Sequence, residues 1–131
     1  MPSTKRTRLG DLVNELPTDQ SGDETAFFYL DSAGEVDDSV TFRELRERCR
    51  TVAARLSPLA EPGAVAVILA TEGLEFVEAF FGCIMAGLVP APLRPPRHER
   101  DESAWRLLLG CLRETGAAVL IAGKPQLKLV R

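Results

Sequence analysis

Residues 64–70 read AVAVILA, an unbroken run of small, β-branched and aliphatic side chains. A strand that is apolar at every position has to be covered on both faces, as strands inside a parallel sheet are. Parallel strands are joined by crossover segments that are usually helices, so helices are expected directly before and after this run. The run therefore predicts the central strand of an α/β domain.

The segment before this strand carries a helical pattern. Thr41 and Glu44 have the spacing of a capping box, in which each side chain accepts a hydrogen bond from the backbone N–H of the other residue. The apolar side chains that follow at helical spacing are Phe42, Leu45, Cys49, Val52, Ala53 and Leu56. A helix is predicted to begin here and to be closed by Pro58, Pro62 and Gly63.

The segment after the strand predicts a second helix. Residues 74–86 hold so few polar side chains that this helix is expected to be buried on most sides. Gly82 is expected to permit close packing, and Gly87 to cap the C-terminal end. Residues 88–93 then read LVPAPL, and their two prolines confine this extended segment to a sheet edge or a strand end.

Further elements lie at both ends of the chain. A charged, proline-stiffened loop leads into a third helix, with Ser103 predicted as its N-cap and Gly116 as its end. Residues 117–121 predict another buried strand. Upstream, residues 26–30 and 35–40 predict the two strands of a β-hairpin.

The predicted fold class is α/β. The alternation of helix and strand from residue 41 onward implies right-handed crossovers and a partial doubly wound, mostly parallel sheet with helices on both faces. The hairpin precedes this sheet, and an apolar stripe over residues 9–16 predicts a short helix before the hairpin. A length of 131 residues is enough for one hydrophobic core.

Composition and charge narrow the function classes. The chain has 16 basic and 19 acidic residues and a formal net charge of −3, so no global field favours nucleic acid or an anionic membrane as a partner. The most apolar window, residues 74–89, contains Glu75 and Glu78 and is shorter than the roughly 20 residues of a membrane span. No signal-peptide pattern opens the chain, so a cytoplasmic location is expected.

The residue types that most often carry chemistry show no site pattern. Cys49, Cys83 and Cys111 lack the close spacing of a zinc site or a CxxC motif, so they are expected to be small core residues in a reducing cytoplasm. His98 is the only histidine, and no partner for a catalytic triad can be identified. Phosphate-binding loops of the GxxxxGK[ST] or GxGxxG type are missing, and Glu72 in the turn after the central strand disfavours a nucleotide there. No catalytic, cofactor-binding or metal-binding residue is therefore predicted.

Two charge clusters allow more than one interpretation. The acidic residues near the hairpin turn are Asp31, Glu35, Asp37 and Asp38. They could form a cation site, but alternating exposed strand positions produce the same pattern, and this second interpretation is favoured. The arginines of the first helix are Arg43, Arg46, Arg48 and Arg50. They could form a basic interaction face, although a solvated face with local Glu–Arg pairs is favoured.

Three stretches resemble the start of the adenylate-forming enzymes, the superfamily of acyl-CoA synthetases, non-ribosomal adenylation domains and luciferases. Residues 40–45, VTFREL, resemble the first core motif of that superfamily, and residues 83–93, CIMAGLVPAPL, resemble the second. Between them, residues 63–69, GAVAVIL, resemble its Gly-Asp-x-Val strand, with Ala64 in place of the usual acidic residue.

Within the superfamily the sequence is most similar to fatty acyl-AMP ligases, which load fatty acids onto acyl carrier proteins of polyketide and lipopeptide pathways. The stretches that carry this similarity are residues 27–31, FFYLD, residues 80–83, FFGC, and residues 95–97, PPR. Residues 93–94, LR, stand where that branch often has an aromatic residue. The similarity extends over residues 9–122.

The resemblance implies the scaffold of the family but none of its catalytic residues. In the family the phosphate loop, the adenine motif, the ribose-binding aspartate and the catalytic lysine lie downstream of the matched segment. The ATP and Mg²⁺ that full-length members use are therefore not expected to bind this chain. We expect residues 9–122 to form an N-terminal sub-domain, with a flexible basic N-terminus at residues 1–8 and an unfinished C-terminal extension at residues 123–131.

Two functional hypotheses follow from the resemblance. In the first, the chain is the N-terminal portion of a fatty acyl-AMP ligase or of a synthase that begins with one. The whole protein would activate a fatty acid with ATP and transfer it to an acyl carrier protein, whereas this chain alone would be inactive. In the second, the chain is a naturally truncated, non-catalytic remnant that serves a polyketide synthase as a dimerisation or docking module, because a free sheet edge invites pairing with another chain. If the match is accidental, the chain is an unrelated small α/β binding protein.

Overall fold

The computed structural model of the chain describes residues 20–69 and 73–123, together with residues 9 and 11. Its strands and α-helices follow the predicted order. They are β1 (Thr25–Leu30), β2 (Val36–Thr41), α1 (Phe42–Leu56), β3 (Val65–Leu69), α2 (Leu74–Met85), β4 (Val89–Leu93), α3 (Glu102–Thr115) and β5 (Val119–Ala122). Of the predicted helix over residues 9–16, residues 9 and 11 are helical and the others lie outside the described residues.

The strand predicted to be central lies in the middle of a three-stranded parallel sheet. The strand order is β4-β3-β5, with Val65 opposite Val89 and Ala66 opposite Val119. β4 is an edge strand of this sheet and, among the described residues, pairs on one side only. Pro90 and Pro92, which have no backbone N–H to donate, are tolerated there because the other side of the strand needs no donors. The predictions of a central strand and of a proline-bearing edge strand are both confirmed.

The side chains of β3 alternate between two packed layers. Ala66 and Ile68 belong to a buried cluster with residues of α1 and α2. Val67 and Leu69 point to the opposite face and pack against Leu108 of α3. Helices therefore cover both faces of the sheet, which confirms the α/β fold class. No helix in the part of the chain described above is both long and apolar enough to traverse a membrane.

The predicted hairpin is present as an antiparallel pair of strands, with Thr25 opposite Thr41 and Leu30 opposite Val36. The carboxylate of Asp31 shapes the turn by accepting hydrogen bonds from the backbone N–H groups of Ala33 and Glu35, at 2.9 and 3.0 Å. The inner face of the hairpin packs on a second buried cluster with members from α1 and α2. The residues of this cluster are Val40, Leu45, Cys49 and Leu74.

The change from β2 to α1 occurs at a single residue. Thr41 is the last residue of the strand and also the N-cap of the helix. Its hydroxyl accepts from the N–H of Glu44 at 3.2 Å, and the Glu44 carboxylate accepts from the N–H of Thr41 at 3.4 Å. The predicted capping box is confirmed, and it allows the chain to turn sharply from the hairpin onto the sheet.

The C-terminal end of α2 has the two hydrogen bonds of a Schellman motif. Leu88 N–H donates to the carbonyl of Cys83 at 2.9 Å, and Gly87 N–H donates to that of Ile84 at 3.0 Å. Gly87 adopts a φ of 80°, which glycine tolerates without strain. Gly87 therefore caps the helix, as predicted, and the chain enters β4 directly.

Helices α1 and α2 approach each other closely at Gly82. A Cβ atom at this position would lie 2.4 Å from Cγ1 of Val52 and 2.6 Å from its Cβ. These separations are well below van der Waals contact, so any larger residue forces the two helices apart. The expectation that Gly82 permits close packing is confirmed.

The prediction that Ser103 caps α3 is wrong. The N-cap is Asp101, and the helix begins at Glu102. Asp101 is held in the preceding loop because its carboxylate accepts from the N–H of Arg97 at 3.0 Å, while its carbonyl accepts from the N–H of Trp105 at 3.0 Å. Ser103 is therefore already inside the first turn, and its hydroxyl donates to Asp101 at 3.4 Å. The predicted end of this helix at Gly116 is confirmed, with a left-handed φ of 60°.

We expect Gly82→Ala to destabilise the fold by about 1–3 kcal/mol, because the added methyl overlaps Val52. Urea unfolding monitored by circular dichroism measures the change. Gly110→Ala in α3 is the matched control, since a Cβ there meets nothing within 4 Å and alanine favours a helix by about 0.5–1 kcal/mol. In the double variant Gly82→Ala/Val52→Ala, the smaller side chain at residue 52 should recover part of the lost stability. Equal stability of the two glycine variants would contradict the close approach.

We expect Thr41→Ala to cost about 1 kcal/mol of stability, because the N–H of Glu44 then loses its acceptor. Thr41→Ser keeps the hydroxyl and should retain most of the stability. The same unfolding measurement compares the two variants, and a serine variant as unstable as the alanine variant would show that the cap bond is not the cause.

Candidate functional site

A cleft of about 760 Å³ opens where the β-hairpin meets the N-terminal turn of α2. Its lining residues are Tyr29, Asp37, Asp38, Arg48, Gly73, Leu74, Glu75 and Glu78. Four of these are carboxylates and one is a guanidinium, so the lining is predominantly acidic. This cleft is the candidate functional site of the described residues.

Three structural features bring these residues together. The hairpin supplies Asp37 and Asp38, and the register shift between Tyr29 and Leu30 allows both aspartates to line the cleft. Tyr29 approaches Gly73 so closely that a Cβ on the glycine would lie 3.3 Å from its ring. Gly73 also has a φ of 74°, so both its backbone conformation and its surroundings favour glycine. The ring contact therefore fixes the hairpin at the start of α2.

The one cation in the lining, Arg48, is already paired. Its guanidinium hydrogen-bonds to Glu78 at 2.9 Å across the α1–α2 contact and lies 3.6 Å from Glu44 one turn earlier. The pKa of Arg48 is raised above its ordinary value by the hydrogen bond to Glu78, with further contributions from the charges of Glu78, Glu44 and Asp38. Among the residues that the structure describes, neither Asp37 nor Glu75 forms an ion pair, so negative charge prevails in the lining of the cleft.

The residues of this cleft do not fit the phosphates of ATP. A triphosphate site needs convergent backbone N–H groups or free basic side chains, whereas this lining offers carboxylates and a paired arginine. Among the described residues no group of three or more His, Cys, Asp or Glu side chains could hold a metal ion. Thr71 and Glu72, on which the sequence argument against a nucleotide rested, lie outside the described residues.

The acidic cluster singled out in the sequence does not converge on one point. Asp31 accepts from backbone N–H groups of its own turn, and Asp38 accepts from the N–H of Ser39 at 2.8 Å. Asp37 and Asp38 line the cleft, while Glu35 lies at the turn. These residues are exposed, as the favoured interpretation expected, but the exposure does not alternate along β2, because the consecutive residues Asp37 and Asp38 both line the cleft.

The cysteines are core residues or half-buried. Cys49 and Cys83 are fully buried, and loss of solvent raises the pKa of each thiol from an ordinary value of 9.0 to about 11. The charge of Glu78 adds to the shift at Cys49. Cys111 is half-buried beside the Leu108 cluster. Because the thiolate is the reactive form, Cys49 and Cys83 are poor nucleophiles at neutral pH.

His98 is exposed in the loop before α3. Its Nδ1 accepts from the N–H of Arg100 at 3.2 Å, and its carbonyl accepts from the indole N–H of Trp105 at 3.3 Å. These contacts shape the loop and place no nucleophile beside the imidazole. That the chain holds no catalytic, cofactor-binding or metal-binding residue stays a prediction.

The arginines of α1 divide between two faces. Arg48 pairs with Glu44, which confirms one local Glu–Arg pair, and Arg43 pairs with Asp23 of the 3₁₀ helix that precedes β1. The partnership of Arg48 with Glu78 was not anticipated from the sequence. The signal that could have indicated it was Glu78, one of only two charged residues in an otherwise apolar helix.

We expect the stability of the chain to fall as the pH rises from 9 to about 11. In this interval the unfolded chain has lost the thiol protons of Cys49 and Cys83, whereas the folded chain still holds them. The folded state then binds more protons, so raising the pH favours unfolding. Urea unfolding at several pH values measures the free energy of unfolding. Between pH 9 and about 11 this free energy should decline less steeply for the double variant Cys49→Ala/Cys83→Ala than for the unchanged chain, after the difference between the two at neutral pH is subtracted. An unchanged slope would contradict the assignment.

Comparison with known proteins identifies the family. The family model for the AMP-binding enzyme matches residues 16–130. JamA of Moorena producens, a medium-chain-fatty-acid–[acyl-carrier-protein] ligase, is 31% identical over 96 residues, 73% of this chain and 16% of JamA. FadD26 of Mycobacterium tuberculosis, a long-chain-fatty-acid–AMP ligase, is 35% identical over 101 residues, 75% of this chain and 17% of FadD26.

A solved structure agrees with these relatives. It comes from structural and functional studies of fatty acyl-adenylate ligases from E. coli and L. pneumophila. The match covers 94% of this chain and 23% of the solved chain, with a TM-score of 0.75 and 32% identity. The chain spans about a sixth of the length of the curated relatives it matches. The family model covers well over half of the chain, and the resemblance noted in the sequence is confirmed. This chain belongs to the AMP-binding enzyme family, in which it corresponds to an N-terminal segment of the fatty acyl-AMP ligase type.

Proposed function

We propose that this chain is the N-terminal scaffold of a fatty acyl-AMP ligase and is catalytically incomplete by itself. The observation that carries the proposal is the combined match to fatty acyl-AMP ligases in sequence and in fold, at 32% identity and a TM-score of 0.75 for the solved structure. Residues 9–122 would form the sub-domain that this chain contributes. The two buried free thiols support a cytoplasmic location for the whole protein.

The reaction of the whole protein would have two steps. A carboxylate oxygen of the fatty acid attacks the α-phosphorus of ATP, and pyrophosphate leaves to give an acyl-adenylate. The thiol of an acyl carrier protein then attacks the acyl carbon, and AMP leaves. These substrate classes are supported by two relatives. JamA is a ligase of medium-chain fatty acids and an acyl carrier protein, and FadD26 is a ligase of long-chain fatty acids and AMP.

The contribution of this chain to that reaction would be structural. In open α/β sheets, ligands bind outside the carboxyl ends of the strands. Here β3 and β4 end at Leu69 and Leu93, and the acidic cleft at the start of α2, the element that follows β3, is unsuited to phosphates. ATP and Mg²⁺ would therefore be held by other parts of the whole protein, while this segment supplies a rigid sheet for them to pack against.

A second candidate function is a non-catalytic dimerisation or docking module of a polyketide synthase. It is favoured by β5, which forms an edge of the described sheet and whose four residues are only half-buried. An edge strand presents unpaired backbone groups to which another strand can pair. Sedimentation equilibrium over a range of concentrations tests the dimer, and a folded chain that stays monomeric throughout would count against it.

We expect no fatty-acid-dependent ATP–pyrophosphate exchange from the 131-residue chain. The product of the whole reading frame that contains it should exchange pyrophosphate when a fatty acid is supplied and should load an acyl carrier protein. The same assay without fatty acid is the control. Exchange by the short chain would overturn its incompleteness, and a reading frame that yields only this chain would favour the remnant instead.

A further inference from the structure

The outer face of the hairpin is apolar and uncovered in the described structure. Phe28, Leu30 and Val36 are 62%, 51% and 57% exposed. Leu30 and Val36 are opposite each other in the register, and Phe28 lies two residues before Leu30 on the same strand. The three side chains therefore form one continuous patch, which is named here the hairpin patch.

The inner face of the same hairpin is packed in the ordinary way. Tyr29 and Ala26 pack on the buried cluster of Val40 and Leu74, and the ring of Phe27 lies 6.3 Å from that of Phe81 in α2. The aromatic and aliphatic content of β1 is thus divided between two faces. Only the inner face has a partner among the described residues, so the hairpin patch exceeds what the core of this chain requires.

The surroundings of the hairpin patch carry one sign of charge. Residues 24–41 contain five carboxylates and no lysine, arginine or histidine. The five are Glu24, Asp31, Glu35, Asp37 and Asp38, and all are exposed. Glu75 and Glu78 lie in the cleft on the side of the hairpin that packs against α2, so they do not border the patch. Asp31 follows Leu30 and Glu35 precedes Val36 in the chain, so carboxylates form an acidic rim at the turn end of this solvent-exposed apolar patch.

This charge distribution selects the chemistry of the occupant. A second copy of the chain would bring its own five carboxylates against these five, and like charges repel. Nucleic acid and anionic lipid surfaces are disfavoured for the same reason. A partner that presents apolar side chains between lysines or arginines would bury the patch and neutralise the rim.

The shape of the patch selects the form of the occupant. Two neighbouring strands lie about 5 Å apart, and six strand residues extend about 20 Å. One α-helix, about 10 Å wide and rising 1.5 Å per residue, covers such a strip with roughly four turns. Helices covering sheet faces are also the usual solution in α/β proteins.

We propose that the outer face of the hairpin is a docking surface for a basic amphipathic helix of a partner protein. The apolar side of that helix contacts Phe28, Leu30 and Val36, and its lysines or arginines meet the surrounding carboxylates. The proposal is independent of acyl transfer, because it uses no part of the ligase reaction.

Synthetic helical peptides test this surface on the full chain by fluorescence anisotropy. The probe is a labelled peptide with leucines on one face and lysines on the other. A peptide with the same leucines and glutamates in place of the lysines tests the charge, and one with serines in place of the leucines tests the apolar contact. The leucine–lysine peptide should bind, and both other peptides should bind at least about tenfold more weakly.

Matched variants locate the binding site. Phe28→Ser and, independently, the near-isosteric Val36→Thr should weaken the leucine–lysine peptide, the former by about tenfold. Leu59→Ser changes an equally exposed residue, at 62%, outside the patch and should leave binding unchanged. Glu35→Gln/Asp37→Asn should weaken binding more at low than at high salt, whereas Glu47→Gln on α1 should not.

Several results would overturn the proposal. If Phe28→Ser and Leu59→Ser reduced the affinity for the peptide equally, the binding would be non-specific. Self-association that Phe28→Ser abolishes would identify a second copy as the occupant. A chain shortened to residues 1–123 that binds the peptide more tightly would identify its own basic residues, Lys124, Lys128 and Arg131, as the competing occupant. Preferential binding of anionic vesicles would contradict the charge argument.

Discussion

The two-sided burial of β3 is the constraint on which the rest of the structure depends. Ala66, Val67, Ile68 and Leu69 are all at most 1% exposed. A strand with no polar side chain on either face is stable only when layers cover both faces. The pair α1–α2 on one side and α3 on the other provide them, and the close approach at Gly82 brings the first two helices near enough to act as one layer.

The sequence predicted those parts of the fold in which a local pattern and the tertiary structure agree. The AVAVILA run, the Thr41–Glu44 box and the prolines of β4 each have one dominant structural explanation, and each was found where predicted. The prediction for Ser103 failed because Asp101 occupies the N-cap position, although its side chain makes no capping hydrogen bond to the helix. The loop hydrogen bond from Arg97 to Asp101 decides between the two residues, and it depends on the path of the chain rather than on local spacing.

The candidate site was less accessible to sequence reasoning. The cleft arises because Tyr29 of the hairpin contacts Gly73 before α2, although 44 positions separate the two residues along the chain. The pairing of Arg48 with Glu78 likewise joins two helices. A repeating pattern in one segment indicates which face is buried, but it does not indicate which distant segment covers that face. For the same reason, the sequence pattern did not indicate that the hairpin has an exposed apolar face with carboxylates beside it.

Together these features describe a segment that is well suited to support a nucleotide-dependent ligase and poorly suited to bind the nucleotide. In the proposed function the chain supplies a scaffold, and other parts of the whole protein hold the ATP. Isothermal titration calorimetry of the 131-residue chain with ATP and Mg²⁺ tests this proposal most directly. We expect no saturable heat, because the cleft presents carboxylates and a paired arginine to the phosphates. Saturable binding of one ATP per chain would contradict it.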